Sequence, residues 1–248
     1  RTGPGETSWR ALWELFASWP SSELKSQYLE IADQALVTWA DRLRFVSSSN
    51  RLLYEGERLA PLARLVRSIE IYRREEQGSA ELMAIASSKY SAELTYLSIV
   101  RSEIGDRAWQ TLIGSPYLSD LRHLHVSSTL LGATNIQHFF LSSRLRRLRC
   151  LKLIDVGIRS RDLEGVRQEI PYAELCAIDL SSNGLGDEGA LVLSQSAWVQ
   201  QIRRMALGDN YIGAQAIRAL LSSSFCERLE QIDLSGNHVT DLERPGLM

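Results

Sequence analysis

A short hydrophobic pattern recurs along most of the chain at a nearly constant interval. Each copy has three apolar residues in the order apolar-x-x-apolar-x-apolar, as in Leu175, Ile178 and Leu180. From the second copy onward the copies begin 27 residues apart, and a weaker first copy begins 28 residues earlier. The seven copies begin at Val66, Leu94, Leu121, Leu148, Leu175, Ile202 and Leu229. Such an interval is typical of a solenoid, in which each copy packs on the next.

Each copy predicts a strand, a turn and a helix. Apolar residues two apart, such as Leu97 and Ile99, should line the inner side of a short strand. Three copies carry asparagine eight residues after the start: Asn183, Asn210 and Asn237. An asparagine amide both donates and accepts hydrogen bonds, so it can satisfy backbone groups where the strand ends. Later apolar residues, such as Leu193 and Leu220, have helical spacing.

The segment Leu175–Gln195, LCAIDLSSNGLGDEGALVLSQ, shows the pattern in its most regular form. It resembles a leucine-rich repeat of the ribonuclease-inhibitor and Ran-GTPase-activating-protein class, and the resemblance extends over about three-quarters of the chain. The resemblance implies an α/β leucine-rich-repeat solenoid with a curved parallel sheet and helices on the convex side. It also implies a role in binding, although a fold alone does not identify the partner.

Some copies depart from this pattern. Other residues replace the asparagine in three of them: Ser102, Thr129 and Val156. Four copies have a turn glycine 11 residues after the start: Gly105, Gly132, Gly186 and Gly213. The copy that begins at Leu148 has Arg159 there instead, and Pro171 lies near its end. We expect this copy to be locally irregular, because proline interrupts regular backbone hydrogen bonding.

The sequence predicts three parts. Residues 1–65 lack the repeat and should form an α-helical N-terminal cap or adaptor, because the first copy would otherwise expose its apolar end. Residues 66–241 should form the solenoid of about seven repeats. Residues 242–248 form a C-terminal tail that is too short for the last helix, so the tail, missing sequence or a partner should cover the open end.

Two amphipathic helices are predicted in the N-terminal part. The first should bury three aromatic residues: Trp9, Trp13 and Phe16. The second has four residues on one apolar face: Leu24, Tyr28, Ile31 and Ala35. Phe45 extends this apolar set, Ser47–Asn50 predicts a loop, and Arg58–Leu65 predicts a further helix. We interpret this part as a cap, and the alternative that its tryptophans bind a separate partner stays open.

Composition narrows the range of functions. The 248 residues are 44% hydrophobic, enough for a sizeable core, and carry a formal net charge of −2. So small a charge gives no general attraction to nucleic acid or to an anionic membrane. The sequence contains neither an apolar run that would span a membrane nor an N-terminal signal peptide. Because the chain begins at Arg1 rather than Met, we expect a fragment of a longer protein.

Thiol and imidazole groups were considered as metal ligands. The three cysteines lack the spacing of a disulfide framework: Cys150, Cys176 and Cys226. Reduced cysteines are typical of the cytoplasm, where we expect this protein. His123, His125 and Cys150 would lie on neighbouring strands, but a closed zinc site needs four ligands and Lys152 would repel the cation. We therefore predict neither a metal nor a cofactor.

The outward side of the strands is the predicted binding surface. Stacked copies should align the residues two, four and six positions after each start in rows about 4.8 Å apart. Tyrosine and arginine commonly anchor interfaces, so the first four strands are favoured for binding another protein, with loops or the cap as the alternative. The candidate residues are Tyr72, Arg73, Tyr96, Arg101, His123, His125, Lys152, Asp155, Asp179 and Arg204.

The predicted function is a protein-interaction module or scaffold, as the recognition part of a larger protein or complex. No phosphate-binding loop, zinc-protease helix or serine nucleophile elbow is found, so we predict that the chain is not an enzyme. Two alternatives stay open. The resemblance to Ran-activating proteins suggests a regulator of a small GTPase. The run Arg144–Lys152 could contact nucleic-acid phosphates, but its arginines alternate with leucines in register with the repeat, which favours a solvated surface.

Overall fold

A computed structural model describes residues 5–19, 23–50, 53–55, 58–74, 77–167 and 170–238. The chain forms two compact units, unit 1 (Arg1–Leu124) and unit 2 (His125–Met248). The sequence-based boundaries after residues 65 and 241 stay predictions, and the tail at 242–248 lies outside the described residues. Of the helices in the described ranges, none is both long and apolar enough to cross a membrane.

Unit 1 contains helices, parallel strands and a small hairpin. Its helices are α1 (Glu6–Ser18), α2 (Glu23–Ala35), α3 (Gly78–Ala86) and α4 (Asp106–Ile113). Its strands are β1 (Phe45–Ser47), β2 (Tyr54–Glu55), β3 (Arg58–Leu59), β4 (Ser68–Tyr72) and β5 (Tyr96–Val100). Strands β1, β4 and β5 pair in parallel in this order, whereas β2 and β3 pair in antiparallel fashion.

Unit 2 alternates strands and helices. The boundary between the units lies within strand β6 (His123–Ser127). The helices that follow are α5 (Ala133–Leu141), α6 (Ser160–Glu164), α7 (Gly186–Gln195) and α8 (Ala214–Leu221). The strands that follow are β7 (Cys150–Ile154), β8 (Ala177–Asp179), β9 (Arg204–Ala206) and β10 (Gln231–Asp233), which pair in parallel in chain order.

Every predicted copy contains a strand that begins two residues after the predicted start. Within unit 1, the register pairs Ile69 with Leu97. Within unit 2, Leu151 pairs with Ile178, which pairs with Met205. All five side chains are at most 2% exposed, so the alternation along each strand sends these residues into the core. The predicted α/β leucine-rich-repeat fold, with parallel strands and intervening helices, is confirmed.

The copy that begins at Leu148 is irregular, as predicted. Its helix α6 has only five residues, whereas α7 in the next copy has ten. The backbone N–H of Arg159 donates to Oδ2 of Asp162 at 2.9 Å, and this bond caps the helix where other copies have glycine. The helix therefore forms without the turn glycine but stays short.

Strand β1 is a correction to the sequence analysis, which placed Phe45 in a helical part. The loop predicted at Ser47–Asn50 is present from Ser48, directly after β1 ends. β1 pairs with β4, with Phe45 opposite Ser68. Val46 and Leu53 are buried, as are the apolar residues at the corresponding positions of later copies. Ser48 lies at the remaining inward position, where later copies have an apolar residue. Ser48 is buried because its hydroxyl donates to Oε2 of Glu81 at 2.6 Å. A polar residue at a core position hid this strand from a search for hydrophobic periodicity.

Two further predictions in the N-terminal part need correction. The helix predicted at 58–65 is shorter, because residues 58–59 form strand β3 and only Pro61–Leu65 is helical, as a 3₁₀ helix. Helix α2 buries Leu29, and Leu36 directly after the helix is buried as well, whereas Tyr28 and Ile31 of its predicted inner face are exposed. Ala35 is exposed as well, and the Leu24 side chain lies outside the described part of the chain. In contrast, α1 buries the three predicted aromatic residues, Trp9, Trp13 and Phe16.

Buried asparagines join neighbouring copies of unit 2 through backbone hydrogen bonds. Nδ2 of Asn183 donates to the Leu180 and Leu153 carbonyl oxygens, both at 2.8 Å. Its Oδ1 accepts from three N–H groups of the preceding copy: those of Val156, Gly157 and Ile158. Ser102 replaces asparagine in unit 1, where its hydroxyl donates to the Val100 carbonyl oxygen and accepts from the Arg74 N–H. The asparagine side chain thus satisfies backbone groups that find no partner within a strand or a helix.

Replacement of Asn210 by alanine tests this role. Asn210 is fully buried and donates to the Leu180 and Gly208 carbonyl oxygens. Asn210→Ala should lower the free energy of unfolding by about 3 kcal/mol, because buried backbone groups lose their partner. Denaturant unfolding measures the effect, and Gln195→Ala at the exposed end of α7 is the control, with a change within about 0.5 kcal/mol. Equal stability of the two variants would contradict the assignment.

A buried ionic cluster attaches α2 to the strands of unit 1. Arg44 is only 2% exposed, and its guanidinium donates to Asp33 and, through Nε, to the Leu65 carbonyl oxygen at 2.7 Å. Arg67 also donates to Asp33, at 2.9 Å. Burial lowers the pKa of Arg44, although the Asp33 hydrogen bond opposes this shift. One carboxylate therefore holds two arginines that precede neighbouring strands.

Neutralising Asp33 should destabilise unit 1. Asp33→Asn leaves Arg44 and Arg67 without their shared anion and should cost about 3 kcal/mol of unfolding free energy. Glu93→Gln is the matched control, because Glu93 also approaches Arg67, at 3.5 Å, but its side chain is 57% exposed. That loss should be below about 1 kcal/mol. Equal losses in chemical denaturation would show that burial of the cluster contributes nothing.

Candidate partner-binding surface

The strand face of unit 1 means the outward side chains of β1, β4 and β5, the residues that follow these strands, and His123 at the start of β6. It holds five of the ten predicted residues. Tyr72 is exposed, and the Arg73 guanidinium lies 5.2 Å from its ring centroid. Tyr96 is half-buried, and its ring centroid is 6.2 Å from that of His123. Arg101 is exposed after β5. The structure thus brings aromatic and cationic groups together on three neighbouring strands.

Sequence analysis missed two residues of this face. Phe45 is 41% exposed, similar to Tyr72 at 42%, and it was missed because β1 was assigned to a helical part. Glu70 is half-buried, and its Oε1 accepts a hydrogen bond from the Ser98 hydroxyl at 3.4 Å. Glu70 occupied a predicted outward position, but no sequence signal separated it from an ordinary solvated carboxylate.

A left-handed backbone residue ends the strand in all seven predicted copies. The φ angles lie between 49° and 69° at Arg73, Arg101, Ser128, Asp155, Ser182, Asp209 and Gly236. The N–H of this residue donates to a carbonyl oxygen of the next copy at Arg73, Ser128, Asp155, Ser182 and Asp209. Examples are Arg73 to Val100 at 3.0 Å and Ser182 to Gly208 at 2.8 Å. Glycine, asparagine or aspartate usually occupies this conformation. The backbone therefore does not favour the two arginines of unit 1 over smaller residues.

Glycine at this position should stabilise the protein. Arg101→Gly should raise the free energy of unfolding by about 1 kcal/mol, because glycine has no Cβ that strains the left-handed conformation. Glu103→Gly is the control, since Glu103 is also exposed but has no positive φ. There glycine should cost about 0.5–1 kcal/mol through chain entropy. A loss of stability in both variants, measured by denaturant unfolding, would refute the strain argument.

The strand face of unit 2 holds the other five predicted residues, which are the outward side chains of the strands after the boundary. Lys152, Asp155 and Arg204 are exposed, whereas His125 and Asp179 are half-buried. The register places Lys152 beside Asp179, so opposite charges alternate. Oδ1 of Asp179 accepts from the Ser181 N–H at 3.1 Å. This face is therefore polar and of mixed charge, unlike the aromatic face of unit 1.

The candidate metal ligands of the sequence are His123, His125 and Cys150. Among the residues that the structure describes, no group of three His, Cys, Asp or Glu side chains could hold a metal ion. Burial raises the pKa of the Cys150 thiol, with smaller opposing effects from Lys152 and Arg204. A thiol with a raised pKa is protonated near neutral pH and is a poor ligand and nucleophile.

The basic run of unit 2 has the alternation expected of a solvated edge. Arg144, Arg146 and Arg149 are exposed, whereas Leu145 and Leu148 are fully buried. The Arg149 guanidinium forms an ion pair with Glu174 at 2.7 Å. The leucines thus serve the core, while the arginines stay in contact with solvent.

Comparison with known proteins supports the repeat. The family model described as Leucine Rich repeat matches residues 176–194. No curated protein matches the sequence. An internalin (inlF) from Listeria monocytogenes str. 4b F2365 is similar in structure, with 15% identity over 74% of this chain and 65% of that chain and a TM-score of 0.35. The plant peptide hormone receptor RGFR1, solved in complex with RGF2, has 12% identity over 73% of this chain and 42% of that chain, with a TM-score of 0.21.

Each of these matches covers only part of a protein. The chain covers less than two-thirds of the length of either solved protein. The matched family segment coincides with β8, the turn and α7, which is the most regular predicted copy. The ribonuclease-inhibitor-like class stays a prediction, and the chain contains leucine-rich repeats.

Proposed function

We propose that this chain is a non-enzymatic protein-interaction module that binds a partner protein on the outward side of its strands. The proposal rests mainly on the strand face of unit 1, where Phe45 and Tyr72 are each more than 40% exposed. Aromatic side chains bury much apolar area when a partner covers them, and with arginine they dominate binding energy at interfaces. Leucine-rich repeats generally act in the same way, as scaffolds that present a strand surface.

The fold supports a rigid surface for this role. Phe45, Tyr72 and Tyr96 lie on strands whose inward residues are buried, so the backbone beneath them is fixed by the core. The Trp9 indole N–H donates to the Phe45 carbonyl oxygen at 2.8 Å, which ties β1 to α1. A preorganised surface loses little conformational entropy on binding.

Two further parts of the proposal concern the C-terminal end and the location. Leu229, Ile232 and Leu234 of the last described copy are only half-buried, whereas the matching residues of the preceding copy are at most 2% exposed. We therefore propose that a second contact covers this end. We also propose a cytoplasmic location, which the three free cysteines support.

Affinity capture from the source cells tests the main proposal. Tyr72→Ala with Tyr96→Ala changes the face of unit 1, and Lys152→Ala with Arg204→Ala changes that of unit 2. At least one pair should reduce recovery of a specific partner about tenfold, equivalent to about 1.4 kcal/mol. The control is Leu15→Ala with Leu221→Ala, which truncates exposed helix residues.

The capture experiment separates surface from fold. Each variant must unfold at the wild-type denaturant concentration, so that lost recovery reports lost contacts. Unchanged recovery with both strand-face pairs, together with lost recovery in the helix control, would place the partner on the helices and refute the proposal.

A further inference from the structure

Glu70 lies at the centre of an aromatic group on the strand face of unit 1. The register places Ser98 directly beside Glu70, and Phe45 and Tyr96 lie diagonally on the two neighbouring strands. From the strand spacing and the rise per residue, these diagonal Cα separations are about 8 Å, and Tyr72 is about 7 Å away along β4. Aromatic side chains span such distances, so three rings surround one carboxylate.

Short side chains lie next to Glu70. Ser68 and Ser98 occupy the outward positions next to it and are only 4% and 1% exposed, so neighbouring groups cover both serines. The Ser68 hydroxyl donates to the Asp41 carbonyl oxygen at 3.1 Å. Phe45 and Tyr72 are far more exposed, at 41% and 42%. The accessible part of this surface, here called the Glu70 group, therefore consists of the half-buried Glu70 and the rings of Phe45, Tyr72 and Tyr96.

The charge of the Glu70 group favours a cation. The faces of aromatic rings attract cations, and this attraction grows when water is excluded. The Glu70 carboxylate has one described partner, the neutral hydroxyl of Ser98, and it forms no described ion pair. A second carboxylate, Asp41, lies nearby, where its Oδ2 accepts from Thr95 at 2.8 Å. The two carboxylates repel an anion, although Arg73 beside Tyr72 opposes this effect, and an apolar group would remove water from Glu70 without compensation.

We propose that Glu70, Phe45, Tyr72 and Tyr96 form a subsite for a lysine or arginine side chain of the partner protein. The proposal rests on the proposed function and names the chemistry of the contact. The cation pairs with the Glu70 carboxylate, and its aliphatic part packs on the rings. Arg73 already lies over the Tyr72 ring at 5.2 Å, which shows that this ring accepts a guanidinium.

Capped tripeptides test the subsite on the whole chain. Acetyl-Gly-Arg-Gly-amide and its lysine analogue should cause saturable shifts of the Glu70, Tyr72 and Ser98 backbone amide signals in NMR spectra. The citrulline peptide has the same shape without the charge, so it should bind at least tenfold more weakly. Arg73→Ala should strengthen binding of the arginine peptide about threefold, because a like charge of modest effect is removed.

Glu70→Gln keeps the size of the side chain and should weaken binding of the arginine peptide at least tenfold. Glu103→Gln is the matched control in unit 1, since Glu103 is exposed and lies outside the Glu70 group. Its affinity should equal that of the wild type. Equal binding of the arginine and citrulline peptides, retention of binding by Glu70→Gln, or the absence of saturable shifts would overturn the subsite.

Partner capture distinguishes failure of this subsite from failure of the proposed function. If Tyr72→Ala with Tyr96→Ala reduces recovery of the partner but Glu70→Gln does not, the strand face binds a protein and the cationic subsite is wrong. If none of these variants reduces recovery, the partner does not bind this face at all.

Discussion

The structure depends on hydrogen bonds that each copy makes with the next at the point where its strand ends. The chain turns there through a left-handed residue, whose N–H donates to a carbonyl oxygen of the following copy, as from Asp155 to Ser181 at 3.1 Å. Asn183 and Asn210 reach across the same junction. A single copy could not satisfy these buried groups, so each copy is stable only beside its neighbours.

This dependence explains why the repeat could be predicted from sequence. The inward positions need apolar residues and the junction needs a residue that both donates and accepts, and these needs recur at a fixed interval. These repeating requirements do not determine the structure of the N-terminal part. Ser48 takes an apolar position because its hydroxyl donates to Glu81, and α2 pairs its half-buried Asp33 with Arg44 and Arg67 while Tyr28 stays exposed. Such choices depend on partners distant in sequence, so periodicity does not reveal them.

The outward surface was predicted in part for the same reason. Alternation along a strand identifies which residues point outward, and it placed Tyr72 and Tyr96 correctly on one face. Alternation does not show which outward residues would contact a partner, because this depends on the size, spacing and charge of the neighbouring side chains. Only the pairing of β1 with β4 places Phe45 and Glu70 on the same face of neighbouring strands. The buried inward residues hold the strand backbone in place. On the outward side, serines then alternate with aromatic rings.

Hydroxyl-radical footprinting of the chain, alone and in its captured complex, tests most directly whether the strand face is where the partner binds. Tyr72 and Tyr28 suit the comparison, since they are 42% and 45% exposed but lie on β4 and α2, respectively. The account predicts that the complex protects Tyr72 from oxidation and leaves Tyr28 unchanged. Protection of Tyr28 with undiminished oxidation of Tyr72 would contradict it.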